Sequence, residues 1–445
     1  MGARAPLSRE IACAAQAIEA LAAGRSLQSA VEAALDDGLE PASRAAIRDI
    51  AYSTCRQLGL VRELARRVNS RPPPPRLAAL QWVALAQLVE PLRAEGIIVD
   101  QAVAAARLEP GGAAVAGFLN ATLRRFVRER DALLAAARRK DEARWNFPDW
   151  WIAQLRAEQP QAWQSILEVG NAPPPMTLRV NLRQGGVDDY LASLAGAGRS
   201  ARRVGPQAVV LDEPCAVDAL PGWHEGRVTV QDAGAQLAAP LLDPQPGERV
   251  LDACAGPGGK TTHLLELADC RVTALDVGEA RLRPVRENLA RLGLGQPGGP
   301  GYPATVLAGD ARRPADWWDR EPFDRILVDA PCTASGIVRR HPDIRWLRRR
   351  SDLATLSRQQ SEILAALWPL VRPGGKLLFA TCSVFQAEGE SVIDHFLASR
   401  RDARRLDLFW RFDTDTAEPV SQLLPVAAPT RNHDGFFYAL LERRP

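Results

Sequence analysis

Lysine is nearly missing from this chain. Of 56 basic residues among 445, only Lys140, Lys260 and Lys376 are lysine, and the rest are arginine. Two of the three directly follow a glycine pair, in "AGPGGK" and "RPGGK". Where arginine has replaced lysine almost everywhere, a retained ammonium points to a place that needs a compact point charge. Cysteine is scarce too: Cys13, Cys55, Cys215, Cys254, Cys270, Cys332 and Cys382. Their number is odd, their spacings are wide and no C-x-x-C pair occurs, which argues against a disulfide framework, a zinc site or another metal centre. Reduced thiols imply a cytoplasmic protein. No apolar run has the length of a membrane span. The opening "MGARAPLSREIACAAQAIEA" meets acidic Glu10 early and has helical spacing, so it reads as part of the fold rather than as a signal peptide. Pro6 stands where a myristoylation signal wants Ser or Thr.

What is present describes a globular chain, 46% hydrophobic and 24% charged, long enough for two or three domains. Its net charge of +3 is unevenly placed: residues 1–140 carry about +6 and the remainder about −3. A basic N-terminal part suits a polyanionic partner, and on charge alone it suits a solvated helical surface nearly as well.

Residues 1–140 read as an all-α domain of six or seven helices. In "SREIACAAQAIEALAAG", Ile11, Ala15, Ile18 and Leu21 share one face, with Ser8 as N-cap and Gly24 as the stop. "SRAAIRDIAYSTCRQLGLVRELARRV" reads as one long helix. Residues 141–235 are mixed, with a short strand in "PPPMTLRVNLR". From 236 to 445 strands alternate with helices, the mark of a doubly wound, mostly parallel sheet. The predicted strands are 249–254, 271–276, 304–309, 325–330 and 376–382, and "LLPVAAPT" with "DGFFYALLE" is expected to close the sheet as a hairpin.

"VLDACAGPGGKTTHLLELA" is a strand, a glycine-rich turn and a helix, an arrangement that brings backbone amides close to a ligand. A Walker A loop would need glycine at Cys254, and a dinucleotide fingerprint would need glycine or alanine at Thr261. The remaining reading is S-adenosylmethionine. Asp276 at the end of the second strand is placed to accept from ribose hydroxyls, and Asp310 in "GDAR" lies near the adenine. Ligands of open α/β sheets bind beyond the carboxyl ends of the strands. Cys332 follows the fourth strand and Cys382 ends the fifth, so both face that pocket, whereas Cys13, Cys55, Cys215 and Cys270 read as buried small hydrophobes. The chemistry that wants a thiolate beside a methyl donor is pyrimidine C5 methylation. C5 of cytosine is too weak a nucleophile alone, and a thiolate adding at C6 places electron density on it. Such a base must leave its stack. Asp329 is placed to bond the amino and N3 edge, selecting cytosine over uracil.

At these residues the chain resembles a known family. "DACAGPGGKTTH", "FDRILVDAPCTASGIVRRHPDIRW" and "GGKLLFATCSVFQAEGE" are similar to the RNA cytosine-C5 methyltransferases, and within them to the bacterial Sun/Fmu (RsmB) type. "FLNATLRRF" resembles that group's NusB-like RNA-binding domain, and "DALPGW", "VTVQDAGAQ" and "DGFFYALL" match its other segments. The resemblance implies a Rossmann-like methyltransferase domain behind a NusB-like helical domain and a small mixed subdomain. It implies small-subunit ribosomal RNA as substrate, cytosine 967 as target, S-adenosylmethionine as cofactor, and a monomer. It makes Cys382 the nucleophile and Cys332 the helper in product release. Cys254, Ala255, Gly256, Pro257, Gly258, Gly259, Lys260, Asp276, Asp310 and Asp329 then line the cofactor and base sites. Gly256 departs from the usual alanine, which is expected to loosen the turn without a clash. RNA contacts are expected from Arg179, Arg339, Arg340 and His341, with Trp346 available for stacking. Two rival classes remain: a non-catalytic RNA-binding assembly factor, which needs neither thiol, and a dehydrogenase, which leaves both unexplained. A cytosine in another RNA is the alternative target.

Overall fold

The computed structural model describes residues 4–109, 112–295, 304–412 and 417–445. It divides into two compact units, Met1–Ala172 with Val338–Arg350, and Pro173–Ile337 with Ser351–Pro445.

The first unit is all-α. In its first helix, Leu7–Ala22, the residues Ile11, Ala14, Ala15, Ile18 and Leu21 are buried, and the three- and four-residue spacing sets one face against the core. Pro6 rather than Ser8 is the N-cap, and Gly24, at φ +98°, follows the end. The long helix expected from Ser43 onward is two, Pro41–Arg56 and Leu58–Val68, separated at Gln57. The break frees the first-turn amide of Leu60 to donate to Asn146 Oδ1 (3.0 Å). Helices Asp149–Glu158 and Trp163–Asn171 also belong here.

So does Val338–Arg350, the arginine-rich stretch read as an RNA surface. Arg345 is wholly buried; it donates to the Gly170 carbonyl (2.5 Å) and to Asn171 Oδ1, and its guanidinium lies 3.8 Å from the Phe147 ring centroid. Asp343 accepts from the Leu27 amide (2.8 Å), and the Trp346 indole donates to the Cys55 carbonyl (3.1 Å). Arg339 is buried as well. Asp343, Arg345 and Trp346 bind the segment to the helices, so Trp346 is not free to stack on a base.

In the second unit a four-stranded antiparallel sheet runs in the order Ala201–Arg203, Ala208–Leu211, Thr177–Val180, Val228–Val230, with helix Val187–Gly196 packed on it. The main sheet contains β1 (Arg249–Ala253), β2 (Arg271–Asp276), β3 (Thr305–Ala308), β4 (Phe323–Asp329), β5 (Val371–Thr381), β6 (Ala403–Leu406) and β7 (Phe436–Arg443). Their order is β6-β7-β5-β4-β1-β2-β3, parallel from β5 to β3, with β7 antiparallel to both neighbours. Alternate residues feed two cores. Val250, Leu327, Leu378 and Tyr438 pack on one face, and Leu251, Ile326, Phe379 and Phe437 on the other. A sheet buried on both faces needs apolar residues in both phases, which is why these strands read as continuous runs. The expected closing hairpin is different. Val426–Ala427 pairs with Asn432–His433 in a separate ribbon, and β7 pairs with β6 and Gln422–Leu423 instead. Pro425 and Pro429 lack the amide that a sheet partner must donate. Among the described residues no helix is long and apolar enough to cross a membrane.

Candidate active site

The turn after β1 is shaped by backbone that a side chain resists. Cys254 sits at φ +65° and Gly258 at φ +102°. A Cβ at Gly258 would lie 2.9 Å from the α-carbon of Val285, so this glycine permits helix Gly259–Leu267 to pack against Glu279–Arg291. Gly256 does not loosen the turn. A Cβ there would meet Asp276 Oδ2 and the Arg281 carbonyl, each at 2.9 Å. Glycine instead lets Asp276 close on the turn: its Oδ2 accepts from the Gly256 amide (2.9 Å), and its Oδ1 from the Val277 amide and Arg281 Nε (both 2.8 Å).

Arg179 is not at a surface. It is fully buried in the second unit, paired with Glu266 (2.7 Å), and donates to Gln231 Oε1 (2.5 Å), the Gly259 carbonyl (2.7 Å) and Thr262 Oγ1 (3.0 Å). A guanidinium with its donors so engaged braces the start of the helix behind the glycine turn and offers nothing to a phosphate. Asp310, beyond β3, accepts from Arg312 Nη2 (2.7 Å), and that hydrogen bond holds its carboxyl below the usual range.

Sequence reading passed over Asp252. It is wholly buried at the end of β1; Thr261 donates to its Oδ2 (2.5 Å), and its Oδ1 has no hydrogen-bond partner. Burial pushes its carboxyl up to about 7, against the Thr261 hydrogen bond, and the Asp329 charge adds to the rise. An orphaned buried oxygen beside a glycine turn is an acceptor waiting for a donor. The turn's backbone, Asp276, Asp310 and this oxygen are the groups that could hold a ligand with an amino acid at one end and a nucleoside at the other.

Beyond β4 and β5 the two thiols meet. Cys332 Sγ and Cys382 Sγ are 3.4 Å apart, Cys332 buried and Cys382 half-buried. The Cys382 sulfur, burial and the charge of Glu388 push the Cys332 thiol well up. Cys55 and Cys270, buried elsewhere, are pushed up to about 12 by burial. Lys260 Nζ donates to Asp329 Oδ2 (2.6 Å). Burial opposes the Lys260 ammonium, but the Asp329 charge and hydrogen bond outweigh it, and Cys382 acts in the same direction. Of the three retained lysines, only this one is at the site: Lys140 pairs with Glu63 (3.1 Å), and Lys376 lies opposite Glu442 in the sheet. A further residue had no legible signal: Glu388, wholly buried, accepts from Thr333 and Ser383, the residues that follow the two cysteines.

A glycine turn and a thiol pair at the carboxyl edge of such a sheet can be set beside known proteins. A family model described as 16S rRNA methyltransferase RsmB/F matches residues 239–442. The ferredoxin-like domain of such methyltransferases matches 147–218, and the NusB family 8–128. The chain is 42% identical to ribosomal RNA small subunit methyltransferase B of Pseudomonas syringae pv. tomato, across 96% of this chain and 95% of that one. It is 39% identical to the protein of that name from Vibrio cholerae serotype O1, across 95% and 94%. The chain belongs to the RsmB/F family of ribosomal RNA methyltransferases. Among solved structures, a methyltransferase homolog protein from Pyrococcus horikoshii has 26% identity and a TM-score of 0.55, covering 68% of this chain and 97% of that one. Family membership agrees with the resemblance and with the fold class read from the sequence, helical NusB-type domain first and Rossmann-like domain last. Within RsmB/F membership, the assembly-factor and dehydrogenase alternatives fall away, because the chain is an enzyme of methyl transfer.

Proposed function

We propose that this protein methylates C5 of a cytosine in small-subunit ribosomal RNA, the target being cytosine 967, with Cys382 as nucleophile. The observation that carries this reading is the pair of sulfurs 3.4 Å apart beyond two neighbouring parallel strands, beside the Lys260–Asp329 pair. The donor set suits S-adenosylmethionine: Asp276 for the ribose, Asp310 toward the adenine, the backbone of Cys254–Lys260 for the amino-acid end, and the orphaned Asp252 Oδ1 for its ammonium. When bound, that cofactor supplies an electrophilic methyl group.

The chain's own residues do the rest. The Cys382 thiolate forms a bond to C6, and the electron pair of the C5–C6 double bond moves to C5, which would take the methyl group as the methyl–sulfur bond breaks and its electron pair stays on the donor's sulfur. Loss of the C5 proton restores the double bond and expels the Cys382 sulfur with its electron pair. Cys332, holding its proton, donates a hydrogen bond to that departing sulfur and so assists release. Asp329 accepts from the cytosine amino group. Uracil offers an oxygen at that place, leaving two acceptors opposed, which costs about 1–3 kcal/mol. Of the residues read as RNA contacts, His341 is exposed and Arg340 half-buried, and both stay in the proposal; buried Arg179 and Arg339 leave it. The basic helical unit docks the RNA.

The test is a denaturing gel of variants incubated with unmodified small-subunit RNA and labelled donor, followed by mapping of the base. Cys382→Ala is expected to give neither methylation nor adduct. Cys332→Ala is expected to methylate and then retain the RNA, because a defect after methyl transfer accumulates the preceding species. An adduct in Cys382→Ala with none in Cys332→Ala reverses the roles, and label at a different cytosine displaces the target.

A further inference from the structure

The two sulfurs sit on separate loops, and nothing in a strand end requires them to meet. Glu388 is the group that reaches both loops. Its Oε1 accepts from the Thr333 amide (2.7 Å), and its Oε2 accepts from Thr333 Oγ1 (2.5 Å) and Ser383 Oγ (2.7 Å). Thr333 directly follows Cys332, and Ser383 directly follows Cys382. One carboxylate therefore ties down the residue next to each thiol. The Ser335 and Ser383 hydroxyls (2.9 Å) and the Gly336 amide donating to the Cys382 carbonyl (2.9 Å) close the same seam. Burying a carboxylate costs several kcal/mol unless its oxygens are bonded, and here donors from both loops bond them.

The Glu388 carboxylate acts on Cys332, which also faces Cys382, in the direction that opposes a thiolate. We propose that Glu388 is a positioning residue that clamps both loops so that the two sulfurs reach one base, with its charge on the Cys332 side of the pair. The proposal rests on the methyl-transfer reading, but its first test does not use RNA.

Glu388→Gln keeps the shape and the clamp, since the amide oxygen accepts from the Thr333 amide and the amide nitrogen donates to the hydroxyls. It removes the charge. The free enzyme is alkylated with iodoacetamide across pH 6 to 9, and each cysteine is followed by mass spectrometry. Losing that charge is expected to raise the Cys332 rate across this range. The Cys382 rate should change little. A Cys332 rate and pH profile unchanged in a Glu388→Gln protein that unfolds like wild type overturn the action of the Glu388 charge on Cys332. Ser383→Ala keeps the charge and removes one clamp bond, so it is expected to leave the alkylation ratio alone while lowering kcat about tenfold at unchanged KM. Unchanged kcat in that variant overturns the clamp, whether or not Glu388→Gln folds. If wild-type enzyme methylates no RNA and Cys332→Ala retains none, yet alkylation still depends on Glu388, the methyl-transfer reading fails and the positioning role stands.

Discussion

Arg179→Ala separates two roles that an arginine in a basic protein can play. A phosphate contact would be lost with no effect on folding. The buried position demands otherwise. Arg179 is 0% exposed, its partner Glu266 is nearly so, and the pair is bidentate, at 2.9 and 2.7 Å. Removing one member leaves the other charge buried and unpaired, at about 3–5 kcal/mol. The bonds to Gly259 and Thr262 go as well, so the helix start behind the glycine turn loosens and donor affinity should fall with stability. Replacing both partners by apolar residues, Arg179→Met with Glu266→Leu, removes the unpaired charge and should recover most of the loss, leaving about 1–2 kcal/mol for the missing hydrogen bonds. Urea unfolding followed by circular dichroism measures the cycle, and calorimetry measures the donor. An Arg179→Ala protein with wild-type stability and only a raised RNA requirement would refute the bracing role.

Two further outcomes follow from the same turn. Asp252, raised by burial to about 7, binds its proton more tightly folded than unfolded. Its contribution is fully present below its unfolded value near 4 and is lost as pH rises through about 7, at about 1.4 kcal/mol per unit. Asp252→Asn should therefore gain stability relative to wild type as pH goes from 4 to 7, and parallel pH–stability curves would exclude the raised value. Gly258→Ala places a side chain at φ +102° and 2.9 Å from the Val285 backbone, and should cost about 2–4 kcal/mol by urea unfolding, against a few tenths if the turn can yield.

The parts of the fold that were legible in the sequence are those whose signal is local. Residues such as Val250 and Leu251 are apolar in both phases because both faces of the sheet are covered, and a run of such residues needs no distant partner to be recognised. The glycine turn is local in the same way. What misled was charge whose compensation is distant in sequence. The stretch Val338–Arg350 has the composition of a solvated or RNA-facing surface, yet Arg345 is satisfied by carbonyls near Asn146 and Gly170, and Asp343 by the amide of Leu27. Arg179 finds Glu266 across 87 positions. Glu388, in "FQAEGE", looks like one more surface acid until Thr333 and Ser383 are seen to enclose it.

The thiol pair lies between these cases. Each cysteine was legible alone, as the residue just past a buried strand. Their meeting depends on which strands are neighbours. In the parallel register of β4 and β5, Asp329 lies beside Ala380, and strands in a sheet stand about 4.8 Å apart. Cys332 comes three positions after Asp329 and Cys382 two after Ala380, so two loops leave the sheet side by side over the same edge. Spacing of that kind brings sulfurs near each other but not to 3.4 Å; the remaining closure needs a tie between the loops, and Glu388 with Ser335 and Ser383 supplies it. A reaction in which one sulfur must bond a carbon and another must help it leave requires both within reach of a single base. Neighbouring parallel strands provide the two positions, and the buried carboxylate ties the two loops together.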